Sequence, residues 1–408
     1  MPSLYWNNFA RVNFFRRRFV RFTLLICALL LYGLSGHTQG AGQQPRIVAV
    51  ADIHGAYDTF VSILQRAGII DRNRKWIGGN TTFVQVGDIL DRGPKARSAM
   101  DLLMQLEKQA GATKGKTIVL LGNHEVMNLI GDLRYIPPEE YQNYADAQSA
   151  KKQNDAYLAF QQFKRDQAKA LKQPEPVFSA ENEKSWKDAH PIGYVEQRQA
   201  FEPNGKYGKW LRKHFPILQL NGMIFLHGGL NPELSNLSVD ELNRRIAREI
   251  ELYDTTRQYL LAQKRILPFS DIEEIAEAAK TEAARLSQNT PEADPEKAKL
   301  LLLVSEVGSW LSMNENGPLW FRGFSTWTDE EGEKNLATLI SAYKVRAFVV
   351  GHTVQPGGQI RSRFKNQIFL IDTGMLDSTF FEGGRASALQ IQDGKFSVIY
   401  PDQTLPLP

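Results

Sequence analysis

Five short polar blocks stand out in this chain of 408 residues: Asp52-Ile53-His54, Gly87-Asp88-Ile89-Leu90-Asp91-Arg92-Gly93, Gly122-Asn123-His124-Glu125, His227-Gly228-Gly229 and Gly351-His352-Thr353. Carboxylates, amide oxygens and imidazoles are the donors that hold divalent ions of borderline softness, and two ions about 3.5–4 Å apart need one carboxylate to bridge them. Asp88 is the natural bridge. Of the seven histidines, four lie in these blocks, His37 is near the N-terminus, and only His190 and His214 fall elsewhere in the body. A single block could be a helix cap or a satisfied turn, but isolated caps do not collect four histidines in five similar settings.

The shared setting is the end of a strand. Ile47-Val48-Ala49-Val50 precedes Asp52, Thr82-Phe83-Val84-Gln85-Val86 precedes Asp88, and Thr117-Ile118-Val119-Leu120-Leu121 precedes Asn123. Continuous apolar, β-branched runs mark buried strands. Helical patterns at 60–67 and 96–110 separate them, so the chain begins βαβαβ, and in such sheets ligands bind beyond the strand ends where the polar turns lie. Further strands are expected at 217–220, 223–226, 345–350 and 367–371, with 386–392 and 395–399 forming a hairpin across Asp393-Gly394. These late strands look like a second sheet.

Two stretches differ in character. Residues 139–173 and 238–303 are rich in Ala, Glu, Lys, Gln and Leu, which favours helix. Ser238 with Glu241 signals a helix start, and Thr290-Pro291 to Pro295 breaks one helix before Glu296 restarts another. They are expected to be helical insertions, about 139–210 and 232–315, beside the strand-end face. Glu125 is expected to brace the helix after the Asn-His turn, and Asp372-Thr373-Gly374 to form a turn. Trp310, Trp320 and Trp327 read as packing, and the Arg244, Arg245 and Arg248 cluster as a solvated helix face.

Composition narrows the class. Hydrophobic residues at 42% and charged residues at 23% exclude collagen-like, wholly disordered and polytopic membrane chains. The formal charge of +4 comes from five arginines in residues 1–35, which leaves the rest at −1 and gives no argument for nucleic acid. The one cysteine, Cys27, lies in the same leader, so the body has no disulfide, thiolate–metal site or cysteine nucleophile. Residues 1–41 read as an export signal: arginines, an apolar run from Phe22 to Leu34, then small polar residues. The alternative is an uncleaved N-terminal anchor. Arg16-Arg17-Arg18-Phe19-Val20-Arg21 also resembles a twin-arginine signal.

The spaced GDILDRG, GNHE, HGG and GHT blocks, with Gly317-Pro318-Leu319-Trp320-Phe321-Arg322-Gly323, resemble the phosphoprotein phosphatase branch of the calcineurin-like metallophosphoesterases. They are most similar to the bacterial Shewanella-like phosphatases, and the resemblance covers about residues 46–131 and 211–408, less the second insertion. It implies an α/β fold, a two-sheet β-sandwich flanked by helices, over residues 45–408. It also implies two divalent ions, manganese ahead of iron or zinc. Asp52, His54 and Asp88 would hold the first ion, and Asp88, Asn123, His227 and His352 the second. Arg92 and Arg322 would grip phosphate, and His124 would protonate the leaving oxygen with Asp91 orienting it. Hydrolysis would proceed by direct attack of a metal-bridging hydroxide. Ala51 departs from the pattern, standing where the family usually has Gly, and its methyl group could crowd the turn.

The expected substrate is a phosphorylated protein, with serine, threonine or tyrosine undecided. The alternatives are a small phosphate ester, including dinucleoside polyphosphates, and a catalytically silent metal-bound binding module. The expected setting is periplasmic, with membrane contact only through an uncleaved leader anchored in the inner membrane.

Overall fold

The β-branched runs become short strands whose alternate residues face two different cores. In the computed structural model, which describes residues 45–288, 290–376 and 380–407, the first sheet contains β1 (Ile47–Val50), β2 (Thr82–Gln85) and β3 (Lys116–Val119), paired in parallel. Val48 and Val50 point to one side, into a cluster with Phe60, Ile63, Leu103 and Leu106. Those residues come from α1 (Tyr57–Arg66) and α2 (Ala96–Gly111). Ile47 and Ala49 point to the other side, into a core shared with the second sheet. The leader and its export reading lie outside the described residues.

The second sheet has β4 (Ile217–Leu220), β5 (Met223–Leu226), β6 (Ala347–Val350), β7 (Arg361–Arg363) and β8 (Ile368–Leu370), in the order β4-β5-β6-β8-β7. Phe225, Val349 and Phe369 fill the space between the sheets. Ile224, Phe348 and Leu370 face outward with Leu336 and Leu339 of the helix Asp329–Tyr343. The result is two mixed sheets packed face to face and flanked by helices.

One expectation is corrected. The hairpin β9 (Ala388–Gln392) and β10 (Lys395–Ile399) does not join the second sheet. It pairs antiparallel with β1, Ile47 opposite Ile391, and β11 (Thr404–Leu407) extends the same edge. Alternation determines which residues are buried but not which free edge a hairpin will find. The turn itself follows from local chemistry: Asp393 and Gly394 have φ of 50° and 75°, the left-handed pair that a two-residue hairpin requires. The short β7 carried no recognisable run.

Between β3 and β4 lie α3 (Asn123–Ile130), α4 (Pro138–Gln142), α5 (Ser149–Ala170), α6 (Ala180–Ala189), α7 (Tyr194–Phe201) and α8 (Lys206–Leu211). Between β5 and β6 come α9 (Val239–Ala262), α10 (Ile272–Leu286) and α11 (Pro295–Ser305). Ser238 Oγ accepts from Glu241 N at 3.2 Å, which starts α9, while the Glu241 side chain turns to Arg244 and Arg245. Ile246, Ile250, Tyr253 and Ile275 join the cluster around α1 and α2, so the second insertion extends the main core. Tyr141, Tyr157, Trp186 and Tyr194 build a separate aromatic cluster for the first, with Phe269 contributed by the second. Both insertions reach α3 at its C-terminal end: Ile272 N donates to Gly131 O at 3.1 Å, and Arg198 Nη1 to Asn128 O at 3.3 Å. Among the described residues no helix is long and apolar enough to cross a membrane.

Candidate active site

The five polar blocks converge because their turns hydrogen-bond to one another. Ile53 N and His54 N donate to Asp88 O at 2.8 and 3.0 Å, and Gly55 N to Ile89 O at 3.0 Å. The buried Glu125 carboxylate ties the next pair together. It accepts from Asp88 N at 2.7 Å, Gly122 N and Ile89 N at 2.8 Å, and Leu90 N at 3.2 Å. Four backbone donors on one carboxylate explain the bracing role expected of it. Burial, then Asp88, pushes the Glu125 carboxyl up to about 7 against the pull of those donors.

The turns are also strained in the same way. His54, Asp88, Asp91, Arg92 and His352 have φ between 46° and 67°, in the left-handed region that side chains other than glycine rarely adopt. Strain of this kind persists where surrounding bonds over-determine the backbone, and it clusters at functional sites. Gly351 shows how little room there is. A Cβ there would lie 2.3 Å from Asp52 Oδ1 and 3.3 Å from the Cβ of Ala51. The buried methyl of Ala51 packs in the inter-sheet core.

The side chains then meet at Asp88. Its Oδ2 is 3.2 Å from His227 Nε2, 3.5 Å from His54 Nε2 and 3.8 Å from His124 Nε2, while Oδ1 accepts His124 N at 3.1 Å. His227 Nε2 lies 2.9 Å from Asn123 Oδ1 and 3.0 Å from His352 Nδ1. Asp52 receives His352 N at 3.0 and 3.2 Å and stands 3.8 Å from His54 Nε2. The opposite ring nitrogens face main-chain carbonyls: His54 Nδ1 meets Leu90 O at 2.8 Å, His227 Nδ1 meets Val86 O at 3.2 Å and His352 Nε2 meets Trp320 O at 3.1 Å. With a proton spent on each carbonyl, the nitrogens turned inward are lone pairs, the arrangement that orients histidine toward a metal.

That donor set fits divalent ions. Among the described residues, imidazole nitrogens and carboxylate oxygens converge in two groups, His54–Asp88–His124 and Asp88–His227–His352, that share Asp88. Burial, then Asp372 and Asp88, pushes Asp52 well above the usual carboxylate range. Asp372 rises to about 6, mainly from burial. So much buried negative charge is relieved by cations. His54 falls to about 3, chiefly through burial, and His352 falls well below the ordinary imidazole value for the same reason.

His124 is held differently. Its Nδ1 contacts Asp91 Oδ2 at 2.6 Å with both side chains buried. Burial disfavours the imidazolium, but Asp88 and Asp91 outweigh it and raise its pKa above the ordinary value. Arg92 N donates to Tyr135 O at 3.0 Å, and its guanidinium lies between the rings of Tyr135 and Phe381, 5.7 and 6.0 Å from their centres. Among the described residues its buried Nε has no partner. Exposed Arg322 donates to His352 O and Thr353 Oγ1, both at 3.0 Å.

Residues 45–356 match the family described as calcineurin-like phosphoesterase. The chain belongs to that family. This phosphoesterase is therefore a hydrolase of phosphate esters. It is 27% identical over 360 residues to "Shewanella-like protein phosphatase 1" of Plasmodium berghei (strain Anka), spanning 87% of this chain and 74% of the relative. "Shewanella-like protein phosphatase 2" of Arabidopsis thaliana is 29% identical over 205 residues, 49% of this chain and 50% of the relative. The crystal structure of a cold-active protein-tyrosine phosphatase of a psychrophile Shewanella sp. aligns with a TM-score of 0.55 at 24% identity, covering 89% of this chain and 80% of that one, a likeness of fold.

All ten residues singled out from the phosphoesterase sequence thus stand together: Asp52, His54, Asp88, Asp91, Arg92, Asn123, His124, His227, Arg322 and His352. Others were not legible. The carbonyls of Val86, Leu90 and Trp320 are main-chain groups with no residue signature. Asp372 does form the expected turn, accepting Gly374 N at 3.0 Å, but its buried carboxyl also raises the Asp52 pKa. Asn128 donates to Asp91 Oδ1 at 2.9 Å, and only its position one helical turn after His124 hinted at this.

Proposed function

We propose that the protein is a phosphomonoesterase acting on phosphorylated proteins, and that the buried His124–Asp91 pair beside the Asp88 cluster is its proton donor. Asp52, His54 and Asp88 would hold one divalent ion, and Asp88, Asn123, His227 and His352 the other. Manganese is the first candidate, ahead of iron or zinc. Bound there, two cations acidify water and neutralise phosphate charge.

The protein's own residues supply the rest. Arg92 and Arg322 offer forked, permanently charged donors to the phosphate oxygens. The Nε of Arg92, without a partner among the described residues, and the solvent-facing Arg322 leave hydrogen-bonding capacity for a ligand. His124 presents Nε2 toward the cluster while Asp91 keeps Nδ1 protonated, so a proton can pass from Nε2 to the departing oxygen. Tyr135, 42% exposed with its ring 5.2 Å from that of His124, offers an exposed aromatic face beside the proton donor, which suits a phosphate carried on a polypeptide.

The test is a panel of phosphopeptides, nucleotides and simple phosphate esters with purified, metal-reconstituted protein. Highest kcat/KM on phosphopeptides supports the proposal. Preference for a nucleotide or small ester would assign a small-molecule enzyme, and no turnover with metal bound would assign a binding module.

A further inference from the structure

The first insertion reaches the proton donor from behind. Asp91 divides its carboxylate: Oδ2 takes His124 Nδ1 at 2.6 Å, and Oδ1 takes Asn128 Nδ2 at 2.9 Å. The second hydrogen of that Asn128 amide goes to His124 O at 3.0 Å. With both hydrogens spent on acceptors, the Asn128 oxygen must face the other way, where Gln197 Nε2, on α7, donates to it at 3.1 Å. Asp91, His124, Asn128 and Gln197 are all 2% exposed or less, so bulk water does not substitute for any of these bonds.

We infer that Gln197 is a positioning residue for the His124–Asp91 pair, acting by fixing the orientation of the Asn128 amide. The inference rests on the proposed role of His124. An Asn128 amide turned by half a rotation would set its oxygen against Asp91 Oδ1 and His124 O, acceptor against acceptor. The Gln197 donor makes that alternative worse by leaving Nε2 facing an NH2 group. Packing alone does not account for the residue. Arg198 already grips the end of α3 through Asn128 O, and the interior Gln197 Oε1 has no partner among the described residues, a penalty an apolar side chain of the same length would avoid. The polar cost makes sense where the donor has a task.

The test compares Gln197→Met, which keeps length and removes the donor, and Gln197→Glu, which keeps shape and puts an acceptor in its place. Asn128→Ala, the Gln197→Met/Asn128→Ala double variant and His124→Asn complete the set. Each metal-loaded protein is assayed on a phosphoserine peptide and on an activated aryl phosphate. The metal-free proteins are examined by proton NMR with 15N-labelled histidine, following the hydrogen-bonded Nδ1 proton of His124.

For the phosphoserine peptide both Gln197 variants should lose about threefold to tenfold in kcat with KM unchanged, the range spanned by one neutral hydrogen bond. They should lose clearly less on the aryl ester. The Nδ1 proton should shift or broaden, and the double variant should be no worse than Asn128→Ala, because the residues act in one chain. If one Gln197 variant fails to fold, the other together with the NMR line decides. Equal losses on both esters, an unmoved Nδ1 proton, or additive losses in the double variant would overturn the inference. His124→Asn separates the two levels. If it too loses equally on both esters, the proton-donor role falls and this inference with it. If it discriminates and the Gln197 variants do not, only the inference falls.

Discussion

Asp91→Asn tests the proton donor most sharply, because Asp91 serves two neighbours that want the same atom type. His124 Nδ1 and Asn128 Nδ2 both donate to its carboxylate, at 2.6 and 2.9 Å. An asparagine has one oxygen for two donors. If it serves His124, a charged acceptor becomes a neutral one, and the bond weakens from about 1.5–3 to about 0.5–1.5 kcal/mol. That difference of about 1–1.5 kcal/mol is roughly 5- to 13-fold in rate. Asn128 is then left facing an NH2 group, which costs about 1–3 kcal/mol of stability. If the oxygen serves Asn128 instead, an NH2 group faces His124 Nδ1, which can no longer keep its proton, and the loss approaches the whole contribution of a general acid, about 10²- to 10⁴-fold.

The expected kcat loss on a phosphoserine peptide is therefore at least about fivefold and no greater than that of His124→Asn. It should be clearly smaller on an activated aryl phosphate, whose leaving group needs little protonation. Metal content, measured by elemental analysis, should stay at the level of the unaltered protein. Equal losses on both esters, a loss beyond that of His124→Asn, or depleted metal would refute the assignment. Depleted metal in His124→Asn would make His124 a ligand, as its place 3.8 Å from Asp88 Oδ2 permits.

Asp88→Asn should abolish turnover and lower bound metal, since both candidate ligand groups share that carboxylate; two ions per chain with near-normal activity would defeat the bridge. Glu140 accepts Arg97 N at 3.0 Å, and burial pushes its carboxyl up to about 7 from an ordinary 4.5. A raised folded-state pKa means that its contribution is full below about 4.5 and lost as pH rises through about 7, worth about 3 kcal/mol. Urea denaturation of Glu140→Gln should accordingly show less loss of stability between those limits than the unaltered protein, and parallel pH curves would contradict this. For the leader, N-terminal sequencing from the native host should find a start after about residue 35–41 and an exported protein; soluble cytoplasmic chains of all 408 residues would refute export.

Much of the fold and site was legible because it is written in short-range chemistry. Runs such as Ile47–Val50 with a polar turn immediately after them identify both a buried strand and the residues at its end. The Asp393-Gly394 hairpin is legible for the same reason: its backbone conformation belongs to two residues. The sheet that the hairpin joins is a different matter, because pairing with β1 depends on an edge left free more than 300 residues earlier.

The same division runs through the site. Residue types and spacing marked the five polar blocks, and the resemblance to the phosphoprotein phosphatases then implied the ten candidate side chains within and beyond them. Tertiary structure decided what holds them. Three main-chain carbonyls set the histidine tautomers, Glu125 gathers four backbone N–H groups, and Asn128 and Gln197 back the His124–Asp91 pair. Main-chain groups carry no residue signature. Gln197, 69 positions from Asn128, is an ordinary glutamine in an ordinary helix until folding brings the two amides within 3.1 Å.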